Sequence, residues 1–146
     1  MSPSHPHSSV HSSRAAEPVG KFPHAKRVGN LLFISGIGPR QRGTKVIPGV
    51  ELGPDGTVIS HDIEVQTHSV FRNVRAILED AGLSLADLVD VQVFLTDMKR
   101  DFPVMNQLWA AYFPDQAPCR TTVEVGALPT PIAIELKCIA AFPEKA

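Results

Sequence analysis

Pro118–Phe142, PCRTTVEVGALPTPIAIELKCIAAF, reads as two strands around a proline-rich connection. Val123 and Val125 alternate with Thr122 and Glu124. After Pro129 and Pro131, the run Ile132, Ile134, Leu136, Cys138 alternates with Ala133, Glu135, Lys137, Ile139. A period of two over this length specifies β-strand, with one face in a core and the other not. Glu135 falls mid-strand on the second face, and Arg120 opens the strand before it. A carboxylate halfway along a strong strand is costly unless it is paired, solvated or used.

The chain around this stretch has 146 residues, 43% hydrophobic and 20% charged, with net charge −1. That fits one globular domain of ordinary composition with a real core. With no Lys/Arg-rich run, binding to nucleic acid or an anionic membrane has no electrostatic support. The longest apolar runs are of strand length, and the N-terminus lacks an apolar signal core, so a reducing cytoplasm is expected. Cys119 and Cys138 form neither a disulfide framework nor a zinc pattern. Residues 1–20 are Ser, Pro and His with almost nothing apolar, which predicts a flexible arm ahead of a domain at 21–146. His5, His7 and His11 have no Cys, Asp or Glu beside them to complete a metal site, and no metal or other cofactor is expected.

Along the chain, Gly29-Asn30 marks a turn before the strand Leu31–Ser35, which the breaker cluster Gly36-Ile37-Gly38-Pro39 ends. The two glycines form either a small anion- or carbonyl-binding nest or a simple turn. Arg40–Ser60 is rich in turn signals, with a short strand at Thr57–Ile59; so long an irregular excursion points to function. His61–Gly82 is the main helix. Asp62 is its N-cap, Ile63, Val70, Val74, Ile77, Leu78 and Ala81 form its apolar stripe, and Gly82 stops it. His68 reads as a partly exposed helix residue without chemistry. Val89–Thr96 alternates as a strand. Asp101 is expected to cap a second helix that has Pro103 in its first turn and ends at Phe113. The order β-β-α-β-α-β-β places both helices on one face of the sheet. The other face carries apolar groups such as Phe94 and Ile139, and oligomerisation is the economical way to cover it.

Arg120 and Glu135 are the chemical candidates. An arginine fork suits a substrate carboxylate, and a glutamate can orient or deprotonate water. The alternative is that the two pair with each other as a structural salt bridge. Cys119 reads as a packed thiol rather than a nucleophile, and Cys138 as core.

The series Ser35-Gly36, FxxxNxxWxxYF from Phe102 to Phe113, PCRTTVEVGALP from Pro118 to Pro129 and IELKCIA from Ile134 to Ala140 resembles the reactive-intermediate deaminase family, also called RidA or YjgF-like. The likeness spans about Phe22 to Phe142. It implies a chorismate-mutase-like α+β fold, one mostly antiparallel sheet with two helices on one face, assembled as a homotrimeric barrel that could pair into hexamers. It also implies cofactor-free hydrolysis of enamines and imines in clefts between subunits. The family's carboxylate-clamping arginine falls on Arg120 and its water-activating glutamate on Glu135. Ser35, Gly36, Asn106 and Thr122 fall on its pocket positions.

Three departures suggest a specialised pocket. His24 stands where many members have tyrosine, Thr122 stands where cysteine is frequent, and the loop after Pro39 is longer than in minimal members. FPHAKRVGN, SGIGPRQRG, the GPDG turn and the Ser/His-rich arm are most similar to the 2-aminomuconate deaminase branch, which serves bacterial breakdown of 2-aminophenol- or 3-hydroxyanthranilate-type aromatics. That implies a dicarboxylate substrate, converted to 4-oxalocrotonate and ammonia. Its far carboxylate needs a second cation, for which Arg40, Arg42 and Lys45 are candidates, with His24 as a polar partner.

Overall fold

The computed structural model describes residues 7–144; His5 lies outside them. The elements are β1 (His7–Val10), β2 (Ala25–Val28), β3 (Leu31–Ile37), β4 (Val50–Leu52), β5 (Val58–His61), α1 (Ile63–Asp80), β6 (Leu88–Leu95), α2 (Met98–Tyr112), β7 (Cys119–Glu124) and β8 (Ile134–Ala141). Six strands form one sheet in the order β1-β2-β3-β8-β6-β7. Every pair is antiparallel except β6 and β7, which α2 joins as a parallel crossover unit. β5 pairs only with β4, in a separate two-stranded ribbon, so the strand expected at Thr57–Ile59 does not enter the main sheet. β2 and β4 went unread because each is short and largely polar or exposed, with little alternation to detect.

The period-two reading holds where strands are long. Ile134, Leu136, Cys138 and Ala140 are buried on one face of β8, as are Val91, Val93 and Leu95 on β6. α1 and α2 cover that face. Phe71 stacks on Tyr112 with ring centroids 4.0 Å apart and sits beside Trp109 and Phe113, locking the helices together. The other face carries Phe33, Phe94, Glu135, Lys137 and Ile139, and among the described residues no helix covers it. Cys138 is core as expected, and burial pushes its thiol pKa up to about 12. Cys119, expected to be packed, is exposed, because β7 is an edge strand and Cys119 belongs to its outward row.

Asp62 caps α1 through the Val65 N–H, and Gly82, at φ 82°, lets the Leu83 N–H close back on the Leu78 carbonyl. The second helix begins earlier than expected. Asp97 is the N-cap, accepting from the Arg100 N–H at 3.0 Å. Asp101 lies inside the helix, 1% exposed, where Arg100 grips both its oxygens at 2.7 and 2.8 Å. A buried carboxylate so paired is compensated, whereas a capping one would stand in solvent.

The segment expected as a flexible arm is ordered from His7 onward. β1 pairs with β2, and Ser12 and Ala15 are buried. Arg14 bridges Glu79 and Asp80 on α1 at 3.1 and 3.0 Å. Arg42 donates to the Ser12 and Ala15 carbonyls and to the Glu17 carboxylate, all within 2.9 Å. Sparse apolar content is offset here by polar anchors.

Gln66, fully buried on α1, ties three regions together. Its amide donates to the Gly49 carbonyl and contacts His61 Nδ1, while its oxygen accepts the Ala133 N–H, each at 2.9 Å. Gly49 itself, at φ 79°, has no room for a Cβ, which would lie 2.7 Å from the Asp62 carbonyl. Gln66→Leu keeps the side-chain volume but leaves the Ala133 N–H unpaired and removes one of the two donors to the Gly49 carbonyl, which keeps the Asp62 N–H, at a cost of about 1–3 kcal/mol. Urea unfolding is expected to show a lower midpoint at constant m. A loss below ~1 kcal/mol would mean Gln66 is not this tie.

Candidate active site

Glu135 opens into a narrow cleft that is partly open to solvent. Ser35, Gly36, Gly38 and His24 line it from β3 and the turn before β2. Thr130 and Ile132 line it from the loop before β8, and Ala16–Val19 from the N-terminal segment. Ser35 is fixed by its hydroxyl on the Pro23 carbonyl at 2.7 Å and its N–H on the His24 carbonyl at 2.9 Å. Gly36 sits where β3 loses register with β8, and Glu135 packs directly over it: a Cβ there would lie 2.7 Å from Glu135 Oε2. Thr130 holds a left-handed φ of 68° in the cleft wall, a conformation that costs a non-glycine residue on the order of 1 kcal/mol.

Among the described residues, Glu135 takes part in no salt bridge or side-chain hydrogen bond. Burial pushes its carboxyl above the ordinary value of 4.5. An unpaired, half-buried carboxylate is suited to accept a proton from water.

His24 is 2% exposed, and both its ring nitrogens are engaged. Nδ1 accepts the Ser12 N–H at 2.9 Å, which leaves Nε2 to donate to the Ala16 carbonyl at 2.7 Å. It therefore anchors the N-terminal segment and offers no nitrogen to a carboxylate, unlike the expected polar partner. Arg42 is likewise fully committed to that segment, and Lys45 stands exposed in the loop, away from the cleft. Arg40 alone of these three cations lines the cleft.

Arg120 is elsewhere. It donates to Asn106 Oδ1 at 2.8 Å and lies 4.9 Å from the centre of the Trp109 ring and 5.7 Å from that of Phe102. Thr122 is two residues along the same edge strand, its hydroxyl buried with no partner among the described residues. The register explains the separation. Arg120 pairs with Val91, which pairs with Cys138, a row facing the helices; Glu135 pairs with Phe94, on the uncovered face. Three positions apart in a two-residue repeat, the two side chains point to opposite faces. They do not pair with each other, and the alternative of a structural salt bridge is thereby removed. The sequence-predicted site divides into two constellations: Glu135, Ser35, Gly36 and His24 in the cleft, and Arg120, Asn106 and Thr122 at the β7 edge. Sequence reasoning missed Glu17 and the rest of the N-terminal wall, whose polar composition carries no local signal of burial.

The profile of the family described as Endoribonuclease L-PSP matches residues 12–142. The chain belongs to this family, that of the RidA, YjgF and RutC proteins. A RutC family protein of Pyrococcus horikoshii is 39% identical over 131 residues, covering 90% of this chain and 94% of that protein. The chloroplastic Reactive Intermediate Deaminase A of Arabidopsis thaliana is 33% identical over 90% of this chain and 64% of its own length. The crystal structure of E. coli TdcF with bound serine superposes with a TM-score of 0.80 at 28% identity, over 93% of this chain and 99% of that one. The mixed α+β fold, with its sheet and two helices, is thus that of the RidA family, and deaminase activity stands at the level of the family.

Proposed function

We propose that this protein is a cofactor-free deaminase of enamine and imine acids, with 2-aminomuconate as its substrate. The observation that carries the reading is Glu135: an unpaired carboxylate, raised by burial, in a cleft walled by Ser35 and Gly36. The enamine tautomerises to a 2-imino acid. Water adds to C2 as Glu135 takes its proton, giving a carbinolamine. Glu135 returns that proton to nitrogen, then moves the carbinolamine hydroxyl proton to the same nitrogen as the C–N bond breaks, and ammonia leaves a carbonyl at C2. Water supplies the oxygen, and no electrons are exchanged. Backbone N–H groups near Gly36 are suited to stabilise the developing charge.

Arg120 supplies the clamp for the carboxylate beside C2. Because it faces away from Glu135 within one chain, the clamp comes from a second copy whose β7 edge approaches the cleft, in a homotrimer. The uncovered sheet face with Phe33, Phe94 and Ile139, and the unsatisfied Thr122 hydroxyl, support such packing. A broader reading, hydrolysis of small imines such as that from 2-aminoacrylate, is supported by the deaminase named among the relatives. A non-enzymatic ligand-binding trimer is the third. Following ammonia release from freshly generated 2-aminomuconate and 2-aminoacrylate separates them. Faster turnover of the dicarboxylate is expected. Activity on 2-aminoacrylate alone would move the protein to the broad role, and silence on both would leave a binding protein.

A further inference from the structure

The loop that carries Arg40 is held rigidly. Asn73 on α1 donates to the Gly38 and Arg40 carbonyls at 3.0 and 2.7 Å, and the Ser69 hydroxyl donates to the Pro39 carbonyl at 2.7 Å. Both side chains are buried, so the Arg40 backbone has one position. Its guanidinium lines the Glu135 cleft and donates through Nη2 to the Glu17 carbonyl, a neutral acceptor. Among the described residues no carboxylate forms a salt bridge with it.

Glu17 is an acid in the same wall. Its carboxylate is already engaged by Arg42 Nη1 at 2.9 Å. Arg42 thus engages the Glu17 carboxylate, which would otherwise compete for Arg40. What remains is a positioned cation, its fork largely unengaged, facing the unpaired Glu135 across one cleft. A planar fork of this kind takes a carboxylate in two parallel hydrogen bonds.

From this geometry we infer that Arg40 binds a second carboxylate, remote from the carbon at which Glu135 directs water, and makes the site selective for dicarboxylates. Arg42 and the segment Ser12–Val19 act as positioning elements that keep the Glu17 carboxylate off that fork. The inference rests on the deaminase reading for which carbon reacts, but not for the binding of the anion.

The test uses two unreactive six-carbon probes, cis,cis-muconate with two carboxylates and sorbate with one. Calorimetric titration of the full-length protein is expected to show tighter binding of muconate. Arg40→Met, which keeps the aliphatic stem, should reduce the ratio of muconate to sorbate affinity by about 10-fold to 100-fold, the range of a charge-assisted hydrogen-bonded contact. Arg40→Lys keeps the charge without the fork and should fall between. Equal affinity of the wild-type protein for both probes would overturn the inference, as would an unchanged ratio in an Arg40→Met protein that melts like wild type. Discrimination by Arg40 without turnover of either 2-aminomuconate or 2-aminoacrylate would sink the deaminase reading and leave this one supported.

Discussion

Glu135→Gln is expected to lower turnover by about 10²–10⁴-fold, the usual share of a positioned general base, with little change in substrate affinity. The wild-type acid limb of kcat/KM should titrate above 4.5, because burial favours the neutral carboxyl and base function appears only as pH rises through the raised folded value. The same shift has a stability sign. A raised carboxyl pKa means the ionised form is disfavoured in the folded state. The penalty is present in full above the folded pKa and disappears below the unfolded value near 4.5. Glu135→Gln should therefore be more stable than wild type at neutral pH and lose that advantage in acid. A variant equal in stability at both pH values would remove the desolvation argument.

Arg120→Ala should be similarly inactive, and coexpression of the two variants discriminates the assembly. Were both residues required from one chain, no mixture could contain an intact site. If Arg120 acts on the neighbouring subunit's cleft, random assortment restores on the order of a quarter of the sites. Mixed oligomers with no recovered activity would end the inter-subunit reading.

The second large effect is expected at Gly36. A methyl group there meets Glu135 Oε2 at 2.7 Å and Cδ at 3.0 Å. Those atoms end a flexible side chain, so Gly36→Ala can be accommodated by swinging the carboxylate away, at a stability cost of about 1 kcal/mol or less. The swing displaces the base by about 1 Å, enough for a loss of about 10²-fold in kcat. Denaturation and kinetics on the same preparation test this. A variant that keeps its activity would show that the observed Glu135 position is not the working one.

Composition and periodicity carried the core of this protein. The alternation in Ile134–Ala141 and Leu88–Leu95, the apolar stripe of α1 and its Asp62 and Gly82 ends were legible because each depends on contacts within a few residues. The residue classes of the site were also legible, since a mid-strand Glu135 and a strand-opening Arg120 stand out against β pattern. Choosing Asp97 over Asp101 as the helix cap was not legible. Both have the right chemistry, and the choice follows from burial of Asp101 against Arg100.

The order of residues 7–20 also lies beyond local sequence. Arg14 meets Asp80, Arg42 meets Ser12 and His24 meets Ser12 and Ala16 across long chain separations, and composition alone describes a polar tail. The separation of Arg120 from Glu135 was decided by tertiary structure alone. Fifteen positions apart in the chain, they end on opposite faces because β6 lies between their strands and sets the register of both. Side-chain direction within a strand is a local property, but which strand lies beside which is fixed only when the whole sheet closes over its core.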